Sequence, residues 1–185
     1  MLPELLQKSS LFDLLNRIDI DLAEQARQKG CPYCNGPLHY ANYGRKPRGG
    51  PENIPAEYLI RYSLCCGNCR RRTLPPSCLF MGRRVYWGIV ILVVLAFKQN
   101  NPDCASAGKI QEIFGISRET LKRWMDYYQD VFPQTSKWQR LRSRIISTVM
   151  DSELPGGLLK YFIDCYKSAE KGVIECLKFL ASDNL

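Results

Sequence analysis

Two pairs of cysteines, each with two residues between its members, constrain this chain more than any other feature. Cys31-Pro-Tyr-Cys34 and Cys66-Gly-Asn-Cys69 are separated by a stretch rich in proline and glycine. A two-residue spacer lets a tight turn direct both sulfurs at one ion, and four thiolates form the tetrahedral shell that Zn²⁺ prefers. The spacing therefore predicts one structural zinc ion, bound by Cys31, Cys34, Cys66 and Cys69, at the centre of a small β zinc ribbon.

The sequence leaves three candidates for the fourth ligand. Cys65 stands next to Cys66, and using it would give a three-residue spacer to Cys69, while His39 lies five residues after Cys34. We favour Cys66 because it gives two pairs of equal spacing. For the cluster as a whole, an iron site of the same geometry and a redox dithiol are the alternatives.

Four other cysteines have no partner at ligand spacing, and we expect them to be small buried hydrophobic side chains. They are Cys78, Cys104, Cys165 and Cys176. A shell of four cysteines leaves no position for water, so the predicted zinc holds residues 31–78 together and takes part in no reaction. His39 is the only histidine, which argues against histidine-based catalysis, and we expect a protein that is not an enzyme. Nine cysteines without a secretory signal at the start of the chain favour the reducing cytoplasm.

The positive charge of the chain is concentrated in its middle. Basic residues exceed acidic ones by 26 to 18, and nine basic residues but only two acidic ones lie between positions 40 and 84. Such a field favours an anionic partner, and we expect double-stranded DNA. The candidate phosphate contacts are Arg45, Lys46, Arg48, Arg70, Arg71, Arg72, Arg83 and Arg84. Binding of single-stranded nucleic acid or RNA through the interleaved tyrosines is a lesser alternative; these are Tyr40, Tyr43, Tyr58 and Tyr62.

Residues 105–132 have the pattern of a helix-turn-helix. Ile110 and Phe114 share one face of a first helix, Gly115 suits the turn, and Ser117 can cap a second helix. The apolar positions of the second helix, at helical spacing, are Leu121, Trp124, Met125, Tyr128 and Phe132. Its other face carries Arg118, Lys122 and Arg123, where a recognition helix meets base edges. The alternative is a plain helical hairpin with solvated charges.

The pattern predicts a mainly α fold with a small β zinc ribbon, a trihelical helix-turn-helix core and a helical C-terminal tail. The predicted domains are a helical lead-in at 1–30, the ribbon at 31–78, the helix-turn-helix domain at 79–135 and the tail at 136–185. Within them the pattern predicts two short helices in the lead-in, with a break near Asp19, a strand at 58–64, and a helix from Ser136 to about Val149. The apolar positions of the tail that recur at helical spacing include Leu158 and Leu177. The apolar run at 85–97 is 13 residues long, and because a membrane span needs about 20 residues, we expect a buried helix and no membrane association. The tail helices are expected to pack on the core, with a homodimer or a protein partner as the alternative.

Several of these motifs resemble the N-terminal region of bacterial insertion-sequence transposases. The similar segments are the two cysteine pairs with the arginines that follow Cys69, the Arg83-Arg84-Val85-Tyr86 sequence, and residues 115–124. In that family a zinc ribbon precedes a helix-turn-helix that binds the ends of the mobile element. The resemblance implies end-specific DNA binding in a bacterial, nucleoid-associated protein, with the four paired cysteines as ligands and Arg118, Lys122 and Arg123 as recognition-helix residues.

We expect no counterpart of the family's catalytic domain in this sequence. That domain uses three carboxylates on two metal ions, whereas only about 55 residues follow Asp130, and we expect no transposase active site. The leading hypothesis is a non-catalytic, sequence-selective DNA-binding protein associated with a mobile element. A transcription regulator and a protein-interaction adaptor are the alternatives, and a nucleic-acid enzyme using acidic residues of the tail is a third.

Overall fold

A computed structural model describes residues 8–45, 55–80, 117–145 and 149–182, with side chains except at positions 8–11, 121, 124 and 125. The described chain is mainly helical, with a small antiparallel sheet. The predicted helices at 85–97 and 105–114 lie outside the described residues, as do Lys46, Arg48, Arg83, Arg84 and Cys104. None of the helices that the structure describes is long and apolar enough to cross a membrane.

Helix α1 runs without interruption from Lys8 to Lys29. The sequence suggested two shorter helices with a break near Asp19, and this detail was wrong. Leu15, Ile18 and Leu22 continue one buried face through that point, so the apolar period itself spans the expected break. Gly30 ends the helix with a φ of +80°, a conformation that costs glycine little.

The strands form two small antiparallel sheets, one of three strands and one of two. β1 (Leu38–Tyr40) pairs with β4 (Leu64–Cys66), and β4 also pairs with β5 (Arg72–Thr73). Farther from the cysteines, β2 (Tyr43–Gly44) pairs with β3 (Ile60–Arg61). The predicted strand at 58–64 is therefore two strands, preceded by a turn of 3₁₀ helix at Ala56–Tyr58.

The second half of the described chain is helical. Helix α2 (Arg118–Asp126) continues into a π-helical turn at Tyr127–Val131 and a 3₁₀ turn at Phe132–Gln134. Helix α3 (Ser136–Arg142) is capped by Thr135 and is shorter than the predicted helix, which extended to about Val149. After a 3₁₀ turn at Asp151–Glu153, helices α4 (Gly156–Tyr166) and α5 (Ala169–Ala181) form a hairpin.

One hydrophobic core joins α1 to the C-terminal helices, as expected for the tail. It contains Phe12 and Leu15 of α1, Trp138 of α3, and Leu158 and Leu177 of the hairpin. Two of the unpaired cysteines, Cys78 and Cys176, are fully buried as predicted. The prediction for Cys165 was wrong: it is exposed, because it lies on the solvent side of α4, where the following Tyr166 is exposed too.

A row of polar side chains on α1 binds the segments that carry the sheet. Tyr58 donates its hydroxyl to Asp13 at 2.6 Å, Tyr62 to Asn16 at 3.2 Å and Tyr40 to Glu24 at 2.8 Å. Positions 13, 16 and 24, with 19 between them, recur at roughly helical spacing and so share one face. The predicted lead-in helix is therefore part of the structure that supports the sheet.

Asp19 makes the most buried contact of this row, with 1% of its surface exposed. Its carboxylate accepts hydrogen bonds from the Ser77 hydroxyl, from the backbone N–H of Cys78 at 2.6 Å and from that of Leu79 at 3.4 Å. Burial raises the pKa of Asp19 to about 6, although these hydrogen bonds and the nearby Arg61 partly offset the effect. Because the charged form is disfavoured inside the fold, this carboxylate costs stability at neutral pH.

The raised pKa of Asp19 predicts a specific dependence of stability on pH. A carboxyl whose pKa rises from 3.8 to about 6 on folding stabilises the folded state at low pH and loses this contribution as the pH rises through 6. Relative to Asp19→Asn, the free energy of unfolding of the wild-type protein should fall by about 1 kcal/mol between pH 5.5 and 7.5. Urea unfolding of both proteins in a zinc buffer measures this difference.

Asp21→Asn is the matched control, because Asp21 is an exposed carboxylate on the same helix. The difference in free energy of unfolding between Asp21→Asn and the wild type should stay nearly constant from pH 5.5 to 7.5. A constant difference for Asp19→Asn as well would contradict the raised pKa.

Candidate metal centre

Four thiol sulfurs from the two cysteine pairs converge on one point. The Sγ atoms of Cys31, Cys34, Cys66 and Cys69 all lie within 4.8 Å of one another. The distance is 3.6 Å between Cys31 and Cys69 and 3.5 Å between Cys34 and Cys66. Four sulfurs placed tetrahedrally about 2.3 Å from one ion would be about 3.8 Å apart. The cluster therefore has the composition and the dimensions of a tetrathiolate metal site and could hold a metal ion.

The two turns that present these sulfurs have the same backbone hydrogen bonds. In the first turn, Asn35 N–H donates to the Cys31 carbonyl at 2.8 Å, and Cys31 N–H donates to the Gly36 carbonyl at 2.9 Å. In the second, Arg70 N–H donates to the Cys66 carbonyl at 3.2 Å, and Cys66 N–H donates to the Arg71 carbonyl at 3.0 Å. Each turn thus holds a buried first cysteine and an exposed second cysteine three residues apart in a closed loop.

Both turns also share a residue with positive φ directly after the second cysteine. The φ angle is 55° at Asn35 and 60° at Arg70. Asparagine adopts this left-handed conformation readily, whereas an arginine there costs about 1 kcal/mol. Asn35 therefore marks the end of the first turn in the sequence, whereas Arg70 gives no such sign at the end of the second.

Backbone dipoles favour the thiolate form of Cys66. The N–H of Cys69 donates to the Cys66 sulfur at 3.4 Å. This hydrogen bond, together with that from the N–H of Asn68, lowers the pKa of the Cys66 thiol to about 6. A metal binds the thiolate form, so backbone donors at this sulfur favour Cys66 as a ligand. The pKa of Cys69 is raised instead, by burial and by hydrogen bonds with the neighbouring thiols.

Strand geometry separates Cys66 from the two competing ligands. Side chains alternate between the faces of a strand, so Cys65 and Cys66 of β4 point to opposite sides. The sulfur of Cys65 contacts the carbonyl oxygen of Arg70 at 3.6 Å and does not belong to the cluster. His39 is paired with Cys65 in the ladder, on that same outer face, and is exposed. The geometry therefore agrees with the choice of Cys66.

The arginines after Cys69 lie on the surface of the module, and two of them stack on tyrosines. Arg70, Arg71 and Arg72 are all exposed. The guanidinium of Arg71 lies 4.7 Å from the ring centroid of Tyr33, and that of Arg72 lies 5.5 Å from the ring of Tyr43. Cation–π contacts of this kind restrict the positions of long side chains.

Arg45 directly follows β2, in the two-stranded sheet. Its guanidinium is 5.8 Å from the ring of Phe80, and its N–H donates to the Leu59 carbonyl at 2.7 Å. Arg45 is exposed.

Helix α2 begins as the sequence predicted. The Ser117 hydroxyl accepts a hydrogen bond from the N–H of Thr120 at 3.2 Å, so Ser117 caps the helix. Arg118, Lys122 and Arg123 are exposed. The guanidinium of Arg123 donates to the Thr120 hydroxyl at 3.0 Å, which holds it against the first turn.

Comparisons of the chain with protein-family models, with curated proteins and with solved structures found no match.

The cluster predicts that two adjacent cysteines will behave differently when each is replaced by serine. Cys66→Ser should reduce the bound zinc from one ion per chain to well below one, because it removes a ligand. Cys65→Ser changes the neighbouring thiol in the same way but should leave the stoichiometry at one. A colorimetric zinc assay of the purified chains measures both values.

Cobalt substitution gives a second readout of the same pair. The wild-type chain and Cys65→Ser should show the visible absorption of tetrahedral cobalt thiolate. In Cys66→Ser this absorption should be weaker than in the wild-type chain. Equal loss of metal in both variants, or in neither, would contradict the assignment of the ligands.

Proposed function

We propose that the chain is a non-catalytic, sequence-selective binder of double-stranded DNA whose binding surface is organised by one structural zinc ion. The proposal rests mainly on the position of three exposed arginines, Arg70 to Arg72, immediately after the ligand Cys69. A cluster of cations on a fixed turn can contact several successive phosphates. In this proposal the module is a zinc ribbon like that of the insertion-sequence transposases that the motifs resemble.

The backbone of Arg70 supports a role for its side chain. Arg70 has a φ of 60°, where glycine or asparagine would be less strained, and the equivalent position of the first turn is Asn35. Residues in strained backbone conformations cluster at functional sites. We infer that the purpose is the positive charge, since the exposed side chain contributes nothing to the buried core.

Helix α2 supplies the second part of the proposed surface. Its capped N-terminus carries Arg118, followed one turn later by Lys122 and Arg123, all exposed. Recognition helices contact base edges with residues near the N-terminal end, where the backbone N–H groups also favour phosphate. We therefore propose α2 as the recognition helix of a helix-turn-helix, with the arginines of the zinc ribbon as backbone contacts.

Charge-matched variants test this proposal. DNA fragments that bind the zinc-loaded chain are first selected from a genomic pool, and affinity is then measured by fluorescence anisotropy over a range of salt. Replacing Arg70, Arg71 and Arg72 together by alanine should weaken binding to all sequences and reduce the salt slope by about 2 to 3. Replacing Arg118, Lys122 and Arg123 by alanine should reduce the preference for the selected sequence by at least about tenfold.

The control removes three positive charges elsewhere. Arg17, Lys160 and Lys171 are exposed and lie outside both parts of the proposed surface, so their replacement by alanine should change affinity little. If all three triple variants bind DNA alike, or if the wild-type affinity is independent of salt, the DNA-binding proposal is wrong and an adaptor for protein partners takes its place.

Arg70→Gly separates the cost of the backbone from the benefit of the charge. Glycine accepts a φ of 60° without strain, so this variant should be more stable than the wild type by about 1 kcal/mol while binding DNA more weakly. Chemical denaturation and anisotropy on the same sample measure both effects. A variant that gains stability and keeps full affinity would exclude Arg70 as a DNA contact.

A further inference from the structure

The tyrosines of the zinc ribbon divide into two groups by what their hydroxyls bind. Tyr40, Tyr58 and Tyr62 each donate a hydrogen bond to a side chain of α1. These three rings therefore fasten the ribbon to the helix, which accounts for three of the four tyrosines that the sequence offered for stacking. Their role in the fold leaves them poorly placed to bind a ligand.

Tyr33 differs from those three in position, exposure and partners. It lies in the turn between Cys31 and Cys34, and 60% of its surface is exposed, more than for any other aromatic side chain that the structure describes. Among the described residues its hydroxyl has no hydrogen-bond partner. An aromatic ring this exposed gains little stabilisation from burial and leaves ring surface accessible to a ligand.

Arg71 covers part of the Tyr33 ring. The guanidinium carbon is 4.7 Å from the ring centroid, the shortest of the arginine–aromatic distances in the described chain. Both residues belong to the metal-binding turns: Tyr33 lies between two ligands, and Arg71 accepts the hydrogen bond of Cys66 N–H through its carbonyl. A ring held by a cation on a rigid turn loses little entropy when a second flat group stacks on it.

We propose that Tyr33 stacks on an unpaired nucleotide, so that the ribbon binds DNA next to a strand end or an opened base pair. This inference rests on the proposed DNA binding and adds the class of DNA structure that the site prefers. Bases of any sequence stack on aromatic rings, and an adjacent arginine can bind the neighbouring phosphate. Tyr33 would then provide the stacking surface, with Arg71 and Arg70 on the phosphates beside it.

The experiment compares two probes that differ only in an unpaired extension. The zinc-loaded full chain is titrated with a selected blunt duplex and with the same duplex carrying four unpaired thymidines at one end, in versions extended at the 5′ and at the 3′ side. The extension on the favoured side should tighten binding by about tenfold. Tyr33→Ala should abolish this gain, so that it binds the extended and the blunt duplex with equal affinity, whereas Tyr33→Phe, which keeps the ring, should retain the gain.

Two controls keep the outcomes distinct. Tyr166→Ala removes another exposed tyrosine, 47% exposed and located on α4, and should keep the full gain from the extension. Zinc content is measured for every variant, so that loss of the metal cannot imitate loss of stacking. As a direct readout, 2-aminopurine in the extension should be quenched by the wild-type chain and by Tyr33→Phe, but not by Tyr33→Ala.

The failure of this inference can be told apart from the failure of the proposed function. Equal affinity of the wild-type chain for blunt and extended probes, or a gain that survives in Tyr33→Ala, would overturn the stacking role while DNA binding stands. Absence of binding to every probe would overturn the proposed function, and the stacking role with it.

Discussion

The convergence of four sulfurs from two turns is the constraint on which the sheet module depends. Thirty-one residues separate Cys34 from Cys66, and the buried apolar cluster beside the cysteines consists only of Cys31, Leu38, Leu64 and Cys66, with Ala26 against it. So few apolar side chains cannot offset the entropy of closing that loop, and small modules of this kind commonly rely on a metal. A tetrathiolate ion would close the loop and set the register, because β1 and β4 begin to pair at Leu38 and Cys66.

Helix α1 supplies the second constraint, and it acts through polar contacts. Its hydrogen bonds to three tyrosines and to the turn at Ser77 hold the module against the helical core. The buried carboxylate of Asp19 satisfies three donors of that turn but is itself disfavoured in its charged form. These contacts fix the orientation of the module relative to the helices at some cost in stability. Such a cost is consistent with a module that must present its arginines at a fixed angle to the helices.

The sequence predicted the features that depend on local spacing. The equal C-x2-C spacers identified the cysteines that converge, Ser117 marked the start of α2, and the apolar period of the tail identified Leu158 and Leu177 as buried. Features that depend on distant partners could not be read in this way. The burial of Asp19 depends on its contact with Ser77, which lies 58 residues later, and the exposure of Cys165 depends on which face of α4 meets α5. The exposure of Tyr33, and the lack of a hydrogen-bond partner for its hydroxyl among the described residues, are properties of the folded chain that its sequence position does not reveal.

The central claim is that a bound metal ion organises the DNA-binding surface, and its most direct test is the DNA affinity of one sample in three states. The chain is measured zinc-loaded, after extraction of the metal with a chelator that is then removed, and after zinc is restored. The account predicts that affinity falls by at least about tenfold on extraction and returns with zinc. Unchanged affinity in the metal-free chain would contradict it.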